Sequence, residues 1–287
     1  MRNIIAVFFL WMSVQVAQAQ PFFDLLNIQG QWSKPSSNNA NDSSETETRY
    51  FETTLSLPIK IKQDVLAISP SYSQLSFKSG YSDAEVIRMQ SMLLSLAYVR
   101  QWKNDKFKTS YVFISRSNQD PHLEFSERSM QWGGAIVHSI KKSEKLKYKI
   151  GVYYNSEFFG PFILPLAGID WNINERLNLF GLLPGSMNLE YFLSKKIHLG
   201  IAFRSITNSY REIHNTFIRI NDNHLKVLAD FYILKNHVIS LEAGHSILRK
   251  YKPGIRINSE TSYSDLDVSD GFLLKIGYAF RFRLDEK

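Results

Sequence analysis

From residue 20 onward, apolar side chains recur at every second position through a succession of short segments. In the last of these, Phe272, Leu274, Ile276, Tyr278, Phe280 and Phe282 share one face, while Leu273, Lys275, Gly277, Ala279, Arg281 and Arg283 share the other. Side chains alternate across a strand, so this segment has one wholly apolar face and one of mostly small or charged groups. The pattern recurs upstream. Leu225, Val227, Ala229, Phe231 and Ile233 oppose Lys226, Leu228, Asp230 and Tyr232, and Ile197, Leu199, Ile201 and Phe203 oppose His198, Gly200, Ala202 and Arg204. Phe51, Thr53, Leu55 and Leu57 likewise oppose Tyr50, Glu52, Thr54 and Ser56. Over 129–141 the faces are mixed, with His138 beside Trp132 and Ile136, and the register there stays open.

This periodicity predicts about fourteen strands, with twelve the other admissible count: 24–33, 47–58, 64–78, 89–103, 106–117, 129–141, 146–156, 163–173, 177–183, 187–194, 197–208, 223–234, 237–249 and 271–283. Tight polar connections (60–63, 104–105, 142–145, 174–176, 195–196, 235–236) alternate with longer ones (34–46, 79–88, 118–128, 209–222, 250–270); 157–162 and 184–186 are short exceptions on the long side. An even strand count, with short turns on one rim and long loops on the other, predicts an all-β fold: a single antiparallel transmembrane β-barrel of the outer-membrane type. A soluble β-sandwich also alternates apolar and polar positions. The strand number, the Gly, Ala and Ser on the polar faces and the alternating turn lengths weigh against it.

The N-terminus adds a location. Arg2 and Asn3 precede an apolar run from Ile4 to Val14, and Ala17-Gln18-Ala19 supplies a small-x-small site before Gln20. This predicts a secretory signal peptide over 1–19 and a barrel domain over 20–287. The later apolar stretch 158–169 is interrupted by Gly160, Pro161 and Pro165, so a membrane would be crossed by strands. There is no Cys, which removes disulfides, thiolate metal sites and Cys nucleophiles. The formal charge is +7, with the basic residues dispersed. Anionic lipid headgroups, lipopolysaccharide and acidic solutes are the partners this favours, and nucleic acid is not one. The polar segment 34–46 reads as an external loop.

Gly160-Pro161-Phe162-Ile163-Leu164-Pro165-Leu166-Ala167-Gly168-Ile169-Asp170-Trp171, followed by Leu179-Phe180-Gly181-Leu182-Leu183-Pro184 and Leu189-Glu190-Tyr191, resembles the central signature of a family of unknown function. That family comprises outer-membrane barrels, chiefly from Bacteroidota. The resemblance implies fold and location and supplies no catalytic residues. The final strand is similar to the aromatic-ended signal read by the barrel-assembly machinery, a further expected partner. It departs from the usual form because Arg283, Leu284, Asp285, Glu286 and Lys287 follow the last Phe.

The predicted inner faces carry Glu52, Lys108, Arg116, Lys149, Asp170, Glu190, Arg204, Lys226, Asp230, Glu242, Lys275, Arg281 and Arg283. Two readings follow: a selectivity lining for ions and small solutes, or paired charges that fill a narrow bore. Most must point inward, since Arg or Lys facing lipid at the midplane costs about 2–4 kcal/mol. Asp170 and Glu190 could form a carboxylate pair, although neutralising basic neighbours is the plainer role. A lipid hydrolase would need Ser, His and an acid together. His122, His138, His198, His214, His224, His237 and His245 are available without a telling spacing, and His138 and His245 could face lipid near an interface. Glu260, Asp265, Asp267 and Asp270 could draw a divalent ion but lack an EF-hand pattern, so a solvated loop is favoured. Arg249, Lys250 and Lys252 are placed at the outer rim, within reach of lipopolysaccharide phosphates. No catalytic, cofactor or metal-binding residue is assigned. The expected function is a pore or binding channel for small solutes; a non-conducting structural or surface-binding barrel and an outer-membrane lipid-modifying enzyme are the alternatives.

Overall fold

The computed structural model describes residues 21–35, 47–78, 86–102, 105–213, 216–257, 260–264, 266 and 268–284. The expected signal peptide lies outside them, as does most of the 34–46 loop. The strands are β1 (Phe22–Pro35), β2 (Thr48–Leu55), β3 (Leu57–Ile61), β4 (Asp64–Lys78), β5 (Val86–Gln101), β6 (Phe107–Gln119), β7 (Met130–Ser143), β8 (Leu146–Glu157), β9 (Gly160–Asn174), β10 (Leu177–Leu183), β11 (Ser186–Phe192), β12 (Ile197–Arg211), β13 (Thr216–Leu234), β14 (His237–Ile257), β15 (Glu260–Tyr263) and β16 (Gly271–Arg283).

Each strand pairs antiparallel with its neighbour in sequence, and the ring closes where β1 pairs with β16 from Phe22↔Arg283 to Pro35↔Gly271. β2 and β3 are one wall strand broken at Ser56, and β15 pairs only with the upper part of β14, so the wall has fourteen strands. Closure matters because no water is present in lipid to satisfy an open edge. β3 is the exception within the wall. It pairs with β4 alone, and the last β1 contact on that side is Ser56 N–H to the Leu25 carbonyl at 2.8 Å. Below it, Phe23 is buried against Val65 and Val99 and packs the seam with side chains.

The outer wall is apolar. Ile163 is 64% exposed, Ile150 63%, Val227 59% and Ile276 59%, values that only a hydrocarbon surrounding makes tolerable over so wide a band. Aromatic groups flank it at both rims. On the turn side Trp102 donates its indole N–H to Thr109 Oγ1 at 2.8 Å, and Thr109 also meets His138 Nδ1 at 3.0 Å. His138 thereby lies on the outer face with Trp132 and Ile136, which settles the register of β7. On the loop side Phe113 lies 5.8 Å from Trp132.

Two loops are shorter than the pattern predicts. β12 and β13 run on through 209–211 and 216–222, leaving only 212–215 between them, and β14 continues to Ile257 before turning into β15. The reason is visible in sequence only in retrospect: Ile218, Ile220 and Tyr251 alternate with polar residues, but they face inward rather than toward lipid. β10 and β11 are short, as the pattern predicts, at seven residues each, and their connecting turn sits low in the wall. β12 pairs with β11 only up to Ser186↔Arg204. Above that point its free side leans across the bore, and Asp120 N–H reaches the Arg211 carbonyl at 2.8 Å, joining β6 to β12. The later parts of the family-like signature, 179–184 and 189–191, lie in this low part of the wall, while β9 rises above it to Gly160.

Candidate functional site

The inward column of β13 sets the plan of the lumen. Reading from the loop rim, Ile218, Ile220, Asp222, His224, Lys226, Asp230 and Tyr232 are all buried, because every second residue of a strand in a closed barrel faces the bore. The column passes from apolar to charged to aromatic, and the neighbouring walls follow the same three levels.

At the loop end the bore is filled. Phe77, Met89, Tyr210, Ile218, Ile220, Tyr251 and Val268 form one buried apolar cluster, with Leu266 packed against it. Phe77 and Met89 come from β4 and β5, Tyr210 from β12 on the far wall, and Val268 from the connection into β16. Phe77 meets Tyr251 edge-on at 5.1 Å. Beside this cluster a buried polar weld holds the inclined half of β12. Glu157 accepts from Arg116 Nη2 at 2.7 Å, from Ser209 Oγ at 2.6 Å and from Gln131 Nε2 at 3.1 Å, while Arg116 Nη1 donates to Asn208 at 2.6 Å. Arg116 and Glu157 are both nearly inaccessible, so each charge is stabilised by its partner rather than by water.

At the turn end the closure is ionic and aromatic. Arg281 donates to Asp24 at 2.6 Å and 3.0 Å and to Asp230 at 2.6 Å, and its guanidinium lies 3.6 Å from the Phe22 ring centre. Arg283 grips Glu190 with two bonds, 2.7 and 3.1 Å, and stacks over Phe192 at 4.7 Å. Glu190 stands on β11 and Arg283 on β16, with β12, β13 and β14 between them in the wall, so this pair spans the bore. Phe22 of β1 touches Phe180 of β10 at 5.8 Å and completes the crossing.

Between these closures lies a cavity of about 280 Å³. Glu52, Arg204, Asp222, His224, Lys226 and Lys275 are its charged and titratable lining, with Arg116 at its upper edge and Gln29, Ser73, Ser91 and Asn208 among its neutral polar groups. Lys226 and Lys275 share Glu242, Asp222 pairs with Arg249 Nε at 3.0 Å, and Glu52 accepts from Gln29. The guanidinium of Arg204 has no hydrogen-bonding or ion-pair partner among the described residues; Glu52 and Glu242 act on it only through space.

Of the thirteen charged residues read from the sequence, Glu52, Arg204, Lys226, Glu242 and Lys275 meet around the cavity, with Arg116 above them. Asp230, Glu190, Arg281 and Arg283 meet at the turn-end closure. Lys149 and Asp170 pair with each other on the neighbouring strands β8 and β9, and Lys108 stands apart near the turn rim. Asp170 and Glu190 do not meet, since each is occupied by its own basic partner. Arg249 corrects the expected outer-rim cluster. Leu248 adopts a left-handed φ of 57°, and Asp270 accepts from the N–H groups of Leu248 at 3.0 Å and Arg249 at 2.7 Å. The resulting bulge turns Arg249 into the lumen, where it bonds Asp222 and Ser33, while Leu248 is left exposed. Asp24, Glu157, Asp222 and Arg249 escape a simple alternation count because each lies at a strand end or a bulge. Among the described residues no group of three acidic or histidine side chains is placed to hold a metal ion. His214, Asp265 and Asp267 fall outside them.

A closed, antiparallel, fourteen-stranded barrel with an apolar wall and a charged interior is a transmembrane β-barrel. The chain belongs to DUF6268, a family whose model is described as a domain of unknown function and matches residues 16–279. No curated protein sequence matches it. Among solved structures it is similar to the NanC porin (10% identity over 89% of this chain and 98% of that one, TM-score 0.41). It is also similar to the Pseudomonas putida toluene transporter TodX (12%, 90% and 89%, TM-score 0.45) and to the translocator domain of the autotransporter NalP from Neisseria meningitidis (10%, 98% and 94%, TM-score 0.40). These likenesses are too distant to carry the functional reading, which rests on the geometry above.

Proposed function

We propose that this chain is an outer-membrane channel for small polar solutes, whose bore holds a binding chamber closed at both ends in its resting form. The observation behind this reading is the chamber itself. A barrel built only for rigidity gains nothing from a polar cavity of about 280 Å³ at mid-bore, close to the lower end of small-molecule pockets at roughly 300 Å³. In this reading the turn rim faces the periplasm, the loop rim faces outward, and residues 1–19 direct export. The signature at 160–171 supports a Bacteroidota-type barrel. Lipopolysaccharide at the outer rim and the barrel-assembly machinery are its expected partners, and a non-enzymatic role is favoured: His198 and His224 are each engaged by a carboxylate inside the bore, and the outward-facing His138 bonds Thr109 rather than a carboxylate.

The test is single-channel recording on the refolded full chain, beside a variant with the turn-end closure loosened (Glu190→Gln with Phe22→Ala). Rare openings in the native protein and a raised open probability in the variant are expected. Silence in both, with the protein shown folded by heat-modifiable gel mobility, removes the channel and leaves a structural barrel.

A further inference from the structure

The chamber's charge identifies the solute it is built to hold. The cations in and bordering it are Arg116, Arg204, Lys226, Lys275 and Arg249, five in all, and the carboxylates are Glu52, Glu157, Asp222 and Glu242, four in all. One positive charge is therefore in excess. A net charge enclosed by a barrel wall and lipid is costly unless an opposite charge comes to it. Pairing rather than the count singles out Arg204: every other cation here has a carboxylate partner, with Lys226 and Lys275 sharing Glu242, while Arg204 has none within ion-pair distance among the described residues.

A guanidinium presents a planar fork that fits two oxygens of one carboxylate or phosphate group. Around Arg204 the remaining lining is largely hydroxyl and amide: Gln29, Ser71, Ser73, Ser91 and Asn208. Such groups donate to and accept from sugar-type hydroxyls. Gln29, Ser71 and Asn208 already bond Glu52, Thr54 and Arg116, and the hydrogen-bonding capacity left on these groups favours a solute with hydroxyls over an apolar acid. Charge balance distinguishes the anions. One surplus charge matches a monocarboxylate, whereas a phosphate near its dianionic form brings more negative charge than the chamber lacks. Glu52 on the opposite side tells against dianions in the same way and can accept from a solute hydroxyl.

We infer that the chamber is a binding site for a small, hydroxyl-rich monocarboxylate, with Arg204 holding the carboxylate and the Gln29–Ser73–Ser91 side receiving its hydroxyls. This rests on the chamber being accessible, as the proposed channel requires, but equilibrium binding reads it without any conductance.

The experiment is isothermal titration of the refolded full chain with D-glucuronate, D-glucose, D-glucosamine and inorganic phosphate as separate probes at neutral pH and low salt. Glucuronate is expected to bind at least tenfold more tightly than the neutral and cationic sugars and more tightly than phosphate. Arg204→Gln should weaken glucuronate at least tenfold, with Arg204→Lys retaining part of the affinity. Equal binding of glucose and glucuronate, a preference for phosphate, or an Arg204→Gln protein that binds glucuronate normally overturns the assignment. Should Arg204→Gln fail to fold, the ranking of probes on the native protein decides alone. Selective binding with silent recordings would fault the channel and keep the site; open channels with no preference for glucuronate would do the reverse.

Discussion

Phe77 and Tyr251 close the loop end of the bore among aliphatic neighbours, whereas Phe22 and Phe180 close the turn end beneath two arginines and three carboxylates. The first closure is a hydrophobic core, recruited from opposite walls and from the segment carrying Leu266 and Val268. Its strength scales with buried apolar area and is insensitive to salt. The second depends on charge, because Arg281 and Arg283 hold both the ion pairs and the aromatic rings in place. Charge can be neutralised or drawn by a membrane potential, and aliphatic packing cannot. Of the two ends, then, the turn end is the one built to yield, and the loop end is built to stay.

The sharpest way to break this contrast is to remove the weld that holds β12 across the bore. Glu157→Ala strands Arg116 without a counter-charge in a nearly inaccessible position. Losing one member of a buried pair costs about 3–5 kcal/mol, so a large fall in folded yield and in the urea midpoint is expected. If Glu157→Ala folds with an unchanged midpoint, the weld is not what fixes the pinch. Within the apolar closure itself, Phe77→Ala should cost about 3 kcal/mol or slightly more, by the same amount in low and high salt. At the turn end Glu190→Gln should cost less, about 1–3 kcal/mol as a lost charged hydrogen-bonding partner. It should also raise channel opening, whereas added salt should change the native protein little, because Arg283 and Glu190 are both nearly inaccessible. A loop-end variant that opens the channel more than Glu190→Gln would reverse the assignment of the two ends.

How far the sequence disclosed this follows from where alternation is clean. In β16 and β13 one glance at odd and even positions separates Lys226, Asp230, Lys275, Arg281 and Arg283 from their lipid-facing neighbours, and the structure pairs several of them directly. Alternation is silent about neighbours in space: nothing in the spacing says that Glu190 meets Arg283 rather than Asp170. It also fails where apolar residues face inward, which is why 209–222 and 250–257 read as loops although Ile218, Ile220 and Tyr251 are strand residues in a core. At Leu248 the count is broken outright, since a bulge exchanges inside for outside and every residue beyond it changes face.

That bulge supplies the finest test of the comparison, because it determines whether Arg249 serves the chamber or the rim. Two causes hold it: the Asp270 carboxylate, which accepts both N–H groups, and the left-handed Leu248. The carboxylate should dominate. Asp270→Ala leaves two N–H groups without that acceptor, for a cost of about 1–2 kcal/mol. If the bulge then relaxes, Arg249 leaves Asp222, the chamber loses one more cation than carboxylate, and glucuronate affinity falls. Leu248→Gly acts on the other cause. A non-glycine residue in the left-handed region costs on the order of 1–2 kcal/mol, and glycine's greater unfolded-state freedom returns roughly 0.5–1 kcal/mol of that, so the net change should be a gain below about 1 kcal/mol. The urea midpoint should therefore rise slightly or stay level while glucuronate binding is unchanged. A clear fall in stability with Leu248→Gly would mean that the exposed leucine side chain, through its contact with lipid or detergent, matters more than the backbone it distorts.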